Sequence, residues 1–149
     1  MQLLKETKTA KFDSAYQKAL VNMLYTYSWC NDKMKQLVSP YDITPQQFNV
    51  LRILRGQYPN PCTIGLLKSR MLDKMCDASR IVDRLVYKDL ILKEINTYDK
   101  RAVDLVISDT GLALLQKMDK EVDLSSIVSG NLSKAEVEQL NNLLDKMRG

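Results

Sequence analysis

The stretch KMCDASRIVDRLVYKDLILKEINTYDKRAVDLVI, residues 74–107, decides the fold. Its first part has helical spacing. Ala78, Ile81, Val82 and Leu85 fall on one face, and Lys74, Asp77, Ser79, Arg80, Asp83 and Arg84 fall on the other. This predicts a helix from about Met75 to Tyr87 with an apolar back and a polar front. The period then changes. Leu90 to Asn96 reads as a strand, and Val103, Leu105 and Ile107 alternate with period two as a second strand. Between them Thr97-Tyr98-Asp99-Lys100-Arg101-Ala102 forms a polar loop with a cationic tip.

Upstream, a helix over Ile64 to Met71 leads through the turn Leu72-Asp73-Lys74 into the helix just described. Two short helices joined by a tight turn, the second presenting a polar face, make the helix-turn-helix pattern, and the hairpin that follows is its wing. Before this lies Thr44-Pro45-Gln46-Gln47. Thr44 suits a helix N-cap, Pro45 the first helical position, and Gln47 closes a capping box. Phe48, Leu51 and Leu54 continue that helix at helical spacing, Gly56 suggests its end, and Thr63 caps the next.

Long helices are predicted at both ends. From about Asp13 to Leu37, the residues Tyr16, Leu20, Met23, Tyr27, Cys30, Met34 and Leu37 step alternately by four and three, the repeat of a helix packed along another helix. Ser39-Pro40 ends it. Downstream, Ser108 or Asp109 caps a helix carrying Leu112, Leu115, Met118 and Val122, and Ser125 to Leu132 breaks it. Ser133-Lys134-Ala135-Glu136 is a second capping box, opening a helix with Val137, Leu140, Leu144 and Met147 on one face. The expected architecture is mainly α with a small β-hairpin wing. Within a single domain, 1–149, residues 44–107 form the reading module, flanked by dimerisation helices at 13–37 and 109–149. Tyr16, Leu20, Met23 and Tyr27, with Val137, Leu140, Leu144 and Met147, are the expected dimer contacts. An intramolecular bundle is the alternative use of the same stripes.

Composition narrows the function. The chain has no histidine, which excludes Ser-His-Asp and Cys-His catalysis and the usual imidazole-bearing zinc site. It has neither GxGxxG nor a phosphate-cradling loop, so no enzyme and no cofactor is expected. Three cysteines, Cys30, Cys62 and Cys76, are too few and scattered for a disulfide framework, consistent with a reducing cytoplasm. No apolar run exceeds four residues, which leaves nothing to span a membrane. Net charge is +4, with the C-terminal segment the acidic part, a balance that permits nucleic-acid binding.

Three segments in order carry a family resemblance. Asp99-Lys100-Arg101, followed by Val103 to Ser108 and Gly111, resembles the wing signature of the MarR (multiple antibiotic resistance) family of bacterial transcription regulators. Ser79 to Leu85 is similar to its recognition helix, and Thr44 to Leu51 to its second helix. Where the family often has glycine after the recognition helix, this chain has Asp89. Lys93-Glu94 and Cys76 also depart from its pattern. The resemblance implies a homodimer that binds a pseudo-palindromic operator in duplex DNA, most often as a repressor, and is released by a small aromatic or phenolic ligand. A winged-helix protein-interaction or scaffolding module without specific DNA recognition is the alternative.

On this reading Arg101, with Lys100, enters a narrow minor groove, where negative potential is focused. Asp99 orients Arg101 through a charge-assisted hydrogen bond. Ser79, Arg80, Arg84, Asp77 and Lys74 face bases or phosphates in the major groove, and Lys68 and Arg70 are further phosphate candidates. The bland alternative for each is a solvated side chain, and for Asp77 a carboxylate that merely favours the helix N-terminus. Tyr16, Tyr25, Tyr27 and Trp29 are candidates to line an effector pocket, Tyr25 and Trp29 foremost, with core or interface packing the alternative for each. Cys76, near a helix N-terminus and beside Lys74, is the cysteine whose thiol those neighbours would acidify.

Overall fold

A computed structural model describes Lys5 and residues 11–149. Helix α1 spans Ala15–Val38, with the Ser14 side chain accepting the Gln17 amide as its N-cap. A 3-10 turn, Ser39–Tyr41, ends in Asp42, whose backbone is left-handed. Helix α2, Pro45–Gln57, opens on the full Thr44/Gln47 capping box. Strand β1, Cys62–Thr63, leads into α3, Ile64–Arg70, capped by Thr63. Helix α4 is Ala78–Tyr87, and strands β2, Ile91–Ile95, and β3, Val103–Ile107, form the wing. Helix α5, Asp109–Glu121, the single turn α6, Ser126–Ser129, and α7, Lys134–Arg148, complete the chain.

Several boundaries differ from those expected. Helix α4 begins at Ala78 rather than Met75, because Asp77 is its N-cap and accepts the Arg80 amide. Gly56 does not end α2, which runs one residue further and is closed by Tyr58. Helix α5 ends at Glu121, before the expected break, and within 125–132 the chain turns once more as α6. The wing supplies two of the three strands of a larger sheet. Strand β1 pairs antiparallel with β3 (Cys62 opposite Leu105), on the side away from β2, so the order is β1-β3-β2. In the hairpin itself Ile91 lies opposite Ile107 and Ile95 opposite Val103.

The core is where α2, α3, α4, α5 and β3 meet. Val50, Leu51, Leu54, Leu67, Val82, Leu85, Leu105, Ile107, Leu115 and Met118 are all buried there. The apolar back of α4 is thus consumed by the module's own core, and its polar front is left outside. Asp89, with a φ of 58°, makes the left-handed turn from α4 into β2. Asp tolerates that region better than most residues because its short polar side chain bonds locally. Ser108 ties the end of the wing to this turn. Its hydroxyl donates to the Asp89 carbonyl at 2.6 Å and accepts the Gly111 amide at 3.0 Å. Gly111 is required by space, since a Cβ there would press on the Leu90 carbonyl and lie 2.7 Å from Ile107 Cγ1.

The end helices behave differently from the core. Val38 of α1 is buried and Met34 packs against the core, yet Tyr16, Leu20, Leu24 and Tyr27 stand exposed, Tyr16 at 89%. Helix α7 buries no residue at all, and Leu140, Leu143 and Met147 are exposed on it. The expected stripe on α1 is therefore divided: its C-terminal end packs within the chain, Met23 is half-buried, and Tyr16, Leu20 and Tyr27 stay exposed among the described residues. No helix among the described residues is long and apolar enough to cross a membrane.

Candidate nucleic-acid interface

The front of α4 and the tip of the wing carry Ser79, Arg80, Arg84, Lys100 and Arg101, all exposed. None of these four cations makes an ion pair with another described residue. The neighbouring carboxylates, by contrast, are engaged. Asp77 caps α4. Asp83 Oδ1 accepts Lys93 Nζ of β2 at 2.9 Å. Asp73 accepts the Met75 amide at 3.0 Å. The surface thus presents free guanidinium and ammonium groups while its acidic groups are turned to structural duties. That arrangement suits a polyanion.

Asp99 does bond Arg101, through its backbone and not its guanidinium. Its carboxylate accepts the backbone amide of Arg101 at 2.9 Å, so it shapes the loop and leaves the guanidinium free. Asn96, not singled out in the sequence, is the main staple of the wing. Its side-chain oxygen accepts the amides of Tyr98 and Asp99 at 2.8 and 2.9 Å, and its Nδ2 donates to both oxygens of Asp104. The signal is available in kind, since asparagine favours such local turns. Lys74 is also reassigned. Its ammonium donates to the Lys68 and Ser69 carbonyls at 3.3 and 2.6 Å, a cation closing the C-terminus of α3. Lys68 and Arg70 remain exposed on α3.

Neither Cys76 nor Cys62 is activated. Burial pushes the Cys76 thiol up, and the nearby Asp73 carboxylate pushes it further. The acidifying effect expected from Lys74 is absent, because that ammonium sits on α3. Cys76 Sγ instead donates to the Asp73 carbonyl. Cys62 is fully buried in β1 and its thiol is likewise raised by burial.

A cavity of about 240 Å³ opens between α1, α2 and the turn before α4. Tyr27, Cys30 and Met34 of α1, Phe48 and Arg52 of α2, and Leu72 line it. Tyr25 and Trp29 do not. As large aromatics of α1 they are natural candidates from the sequence, but they sit at other angles around the helix, and Trp29 borders a separate groove with Ile127. The cavity wall is continuous with the reading module, since Asn49 Oδ1 accepts the Leu72 amide at 3.1 Å.

One further link joins an end helix to the module, and two run through the turn after α1. Arg55 of α2 forms a two-point pair with Asp119 of α5, at 2.6 and 3.2 Å, and holds that carboxyl below its usual range. The Tyr41 hydroxyl donates to Glu121 at 2.6 Å. Lys88, at the end of α4, bonds the carbonyl and carboxylate of Asp42.

A helix-turn-helix whose second helix shows an unpaired cationic front, followed by a hairpin with cations at its tip, defines a winged helix-turn-helix protein. The MarR family profile matches residues 43–103. The multiple antibiotic resistance protein MarR of Escherichia coli is 32% identical over 117 residues, covering 76% of this chain and 79% of that protein. The HTH-type transcriptional regulator MhqR of Bacillus subtilis is 24% identical over 132 residues, covering 87% and 89%. A crystal structure of a cysteine-to-serine variant of E. coli MarR complexed with operator DNA superposes with a TM-score of 0.73 at 29% identity, covering 90% of this chain and 99% of that one. The chain belongs to the MarR family of transcriptional regulators.

Proposed function

We propose that this protein binds a pseudo-palindromic operator in duplex DNA as a homodimer, represses transcription from it in the cytoplasm, and is released by a small aromatic or phenolic ligand. The observation that carries the DNA-binding part is the set of unpaired cations Arg80, Arg84, Lys100 and Arg101 on the front of α4 and the wing, beside carboxylates already engaged. The operator-bound relative supports the same use of this fold. Homodimerisation is supported by the exposed apolar residues of α1 and α7, which form no core of their own chain. Ligand release is supported by the cavity under Tyr27 and Phe48, whose wall includes the turn leading into α4.

The division of the chain follows from these roles: residues 44–107 read DNA, and 13–37 with 109–149 hold two copies together. Selection from random duplexes with the purified protein tests the reading. Enrichment of a two-fold symmetric sequence with half-sites about 10 base pairs apart is the expected outcome. Sedimentation should give twice the 17.1 kDa chain mass, and deletion of 134–149 should leave monomer or aggregate. A soluble, folded monomer that enriches no sequence would favour the scaffolding alternative.

A further inference from the structure

The turn between α3 and α4 is firmly held, yet it exposes an apolar side chain fully to solvent. Met71 on one side is 2% exposed and Ala78 on the other is buried. Between them the Leu72 amide is fixed by Asn49, the Met75 amide by Asp73, and the Cys76 thiol by the Asp73 carbonyl, with Cys76 packed against the core. The Lys74 ammonium is tied back to α3. These attachments leave Met75 directed outward, and it is 94% exposed. Leu72 is 84% exposed but borders the cavity. Met75 lies two residues before Asp77, the N-cap of α4.

A single exposed apolar residue is ordinary on a protein surface. Its position makes this one different. The N-terminal end of a recognition helix is the end that meets base edges in the major groove, and the turn carrying Met75 leads directly into that end. In that groove the one apolar group a base pair offers is the C5-methyl of thymine. Methionine is unbranched and polarizable, so it adapts to such a contact better than a stiff side chain. The cations Arg80 and Arg84, on the helix that the turn leads into, supply the attraction that brings the turn to DNA.

We propose that Met75 reads a thymine methyl group at one position of each half-site. This inference rests on the DNA-binding reading above. It is tested on the duplex enriched by the parent protein, with each thymine replaced in turn by deoxyuridine, which lacks only the methyl. Parent affinity should fall about fourfold per half-site at one symmetric pair of positions, the factor that burying one methyl group contributes. Met75→Ala should bind the thymine and uracil duplexes equally, at the parent's uracil level, and Met75→Leu should retain discrimination. Because the side chain is exposed, both variants should fold as the parent does by circular dichroism. A parent protein indifferent to uracil at every position, or an Ala variant that still discriminates as the parent does, overturns the assignment of Met75 alone. A selection that enriches no duplex overturns the DNA reading itself, and this inference with it.

Discussion

Lys93 Nζ lies 2.9 Å from Asp83 Oδ1, joining the first wing strand to the cationic front of the recognition helix. The pair is exposed, so its contribution to folding is small, under about 1 kcal/mol. Its larger effect is on charge. It neutralises the carboxylate nearest Arg80 and Arg84 in sequence, one that would otherwise repel phosphate.

Lys93→Met should therefore weaken DNA binding while leaving the melting temperature nearly unchanged. Adding Asp83→Asn should restore much of that affinity, because it removes the stranded charge. Binding titrations on the single and double variants measure the coupling. A double variant as weak as Lys93→Met alone would mean that Lys93 touches DNA directly.

Arg101 and Asp99 separate a DNA-binding group from a scaffold. Arg101→Ala should keep the circular dichroism spectrum of the parent, since Asp99 bonds the Arg101 amide and not its guanidinium. It should weaken binding and flatten the salt dependence by about 0.9 for each phosphate no longer neutralised. Asp99→Ala should act through the loop instead, raising hydrogen exchange at the wing amides. Parent affinity and salt slope in Arg101→Ala would remove the wing from the DNA-reading surface.

Gly111→Ala tests the junction of wing and α5. The added Cβ has to displace the Leu90 backbone or Ile107. Overpacking of this kind costs about 1–3 kcal/mol. A lowered midpoint in urea with an unchanged slope is the expected result.

The Arg55–Asp119 link predicts an acid dependence. Its sign follows from the folded carboxyl, which Arg55 holds below its usual range. The stabilisation is complete above the ordinary aspartate pKa and disappears as pH falls through the lowered folded value. Asp119→Asn should be slightly less stable than the parent at neutral pH, and the gap should close on acidification. Urea midpoints across the acid range up to neutrality check this, and a gap independent of pH would exclude the pair as its source.

Much of this fold is legible in the sequence because its signals are local. The capping boxes at Thr44 and Ser133 and the period change after Tyr87 are read from adjacent residues, and each matches an observed boundary. The left-handed Asp89 falls where the family resemblance leads one to expect glycine. What stays hidden depends on distant partners. Strand β1 is two residues long and exists because Leu105 and Asp104 lie beside it, so it leaves no periodicity to read. The start of α4 is hard to place because Met75 and Cys76 are compatible with a helix, while Asp73 and Asp77 recruit the backbone into a turn. In the candidate site, the polar front of α4 is visible from spacing alone. The engagement of Lys74 and Asp99 with backbone groups is not, nor is the rotation of Tyr25 and Trp29 away from the cavity.

Helix α7 buries none of its 15 residues within the chain. A helix of that length is marginal in water when left to itself, even with a good cap. In the proposed dimer its order is borrowed from the second subunit, so the C-terminal end should gain helicity as concentration rises, by mass action. The order of α7 would then rise and fall with the share of chains that are paired.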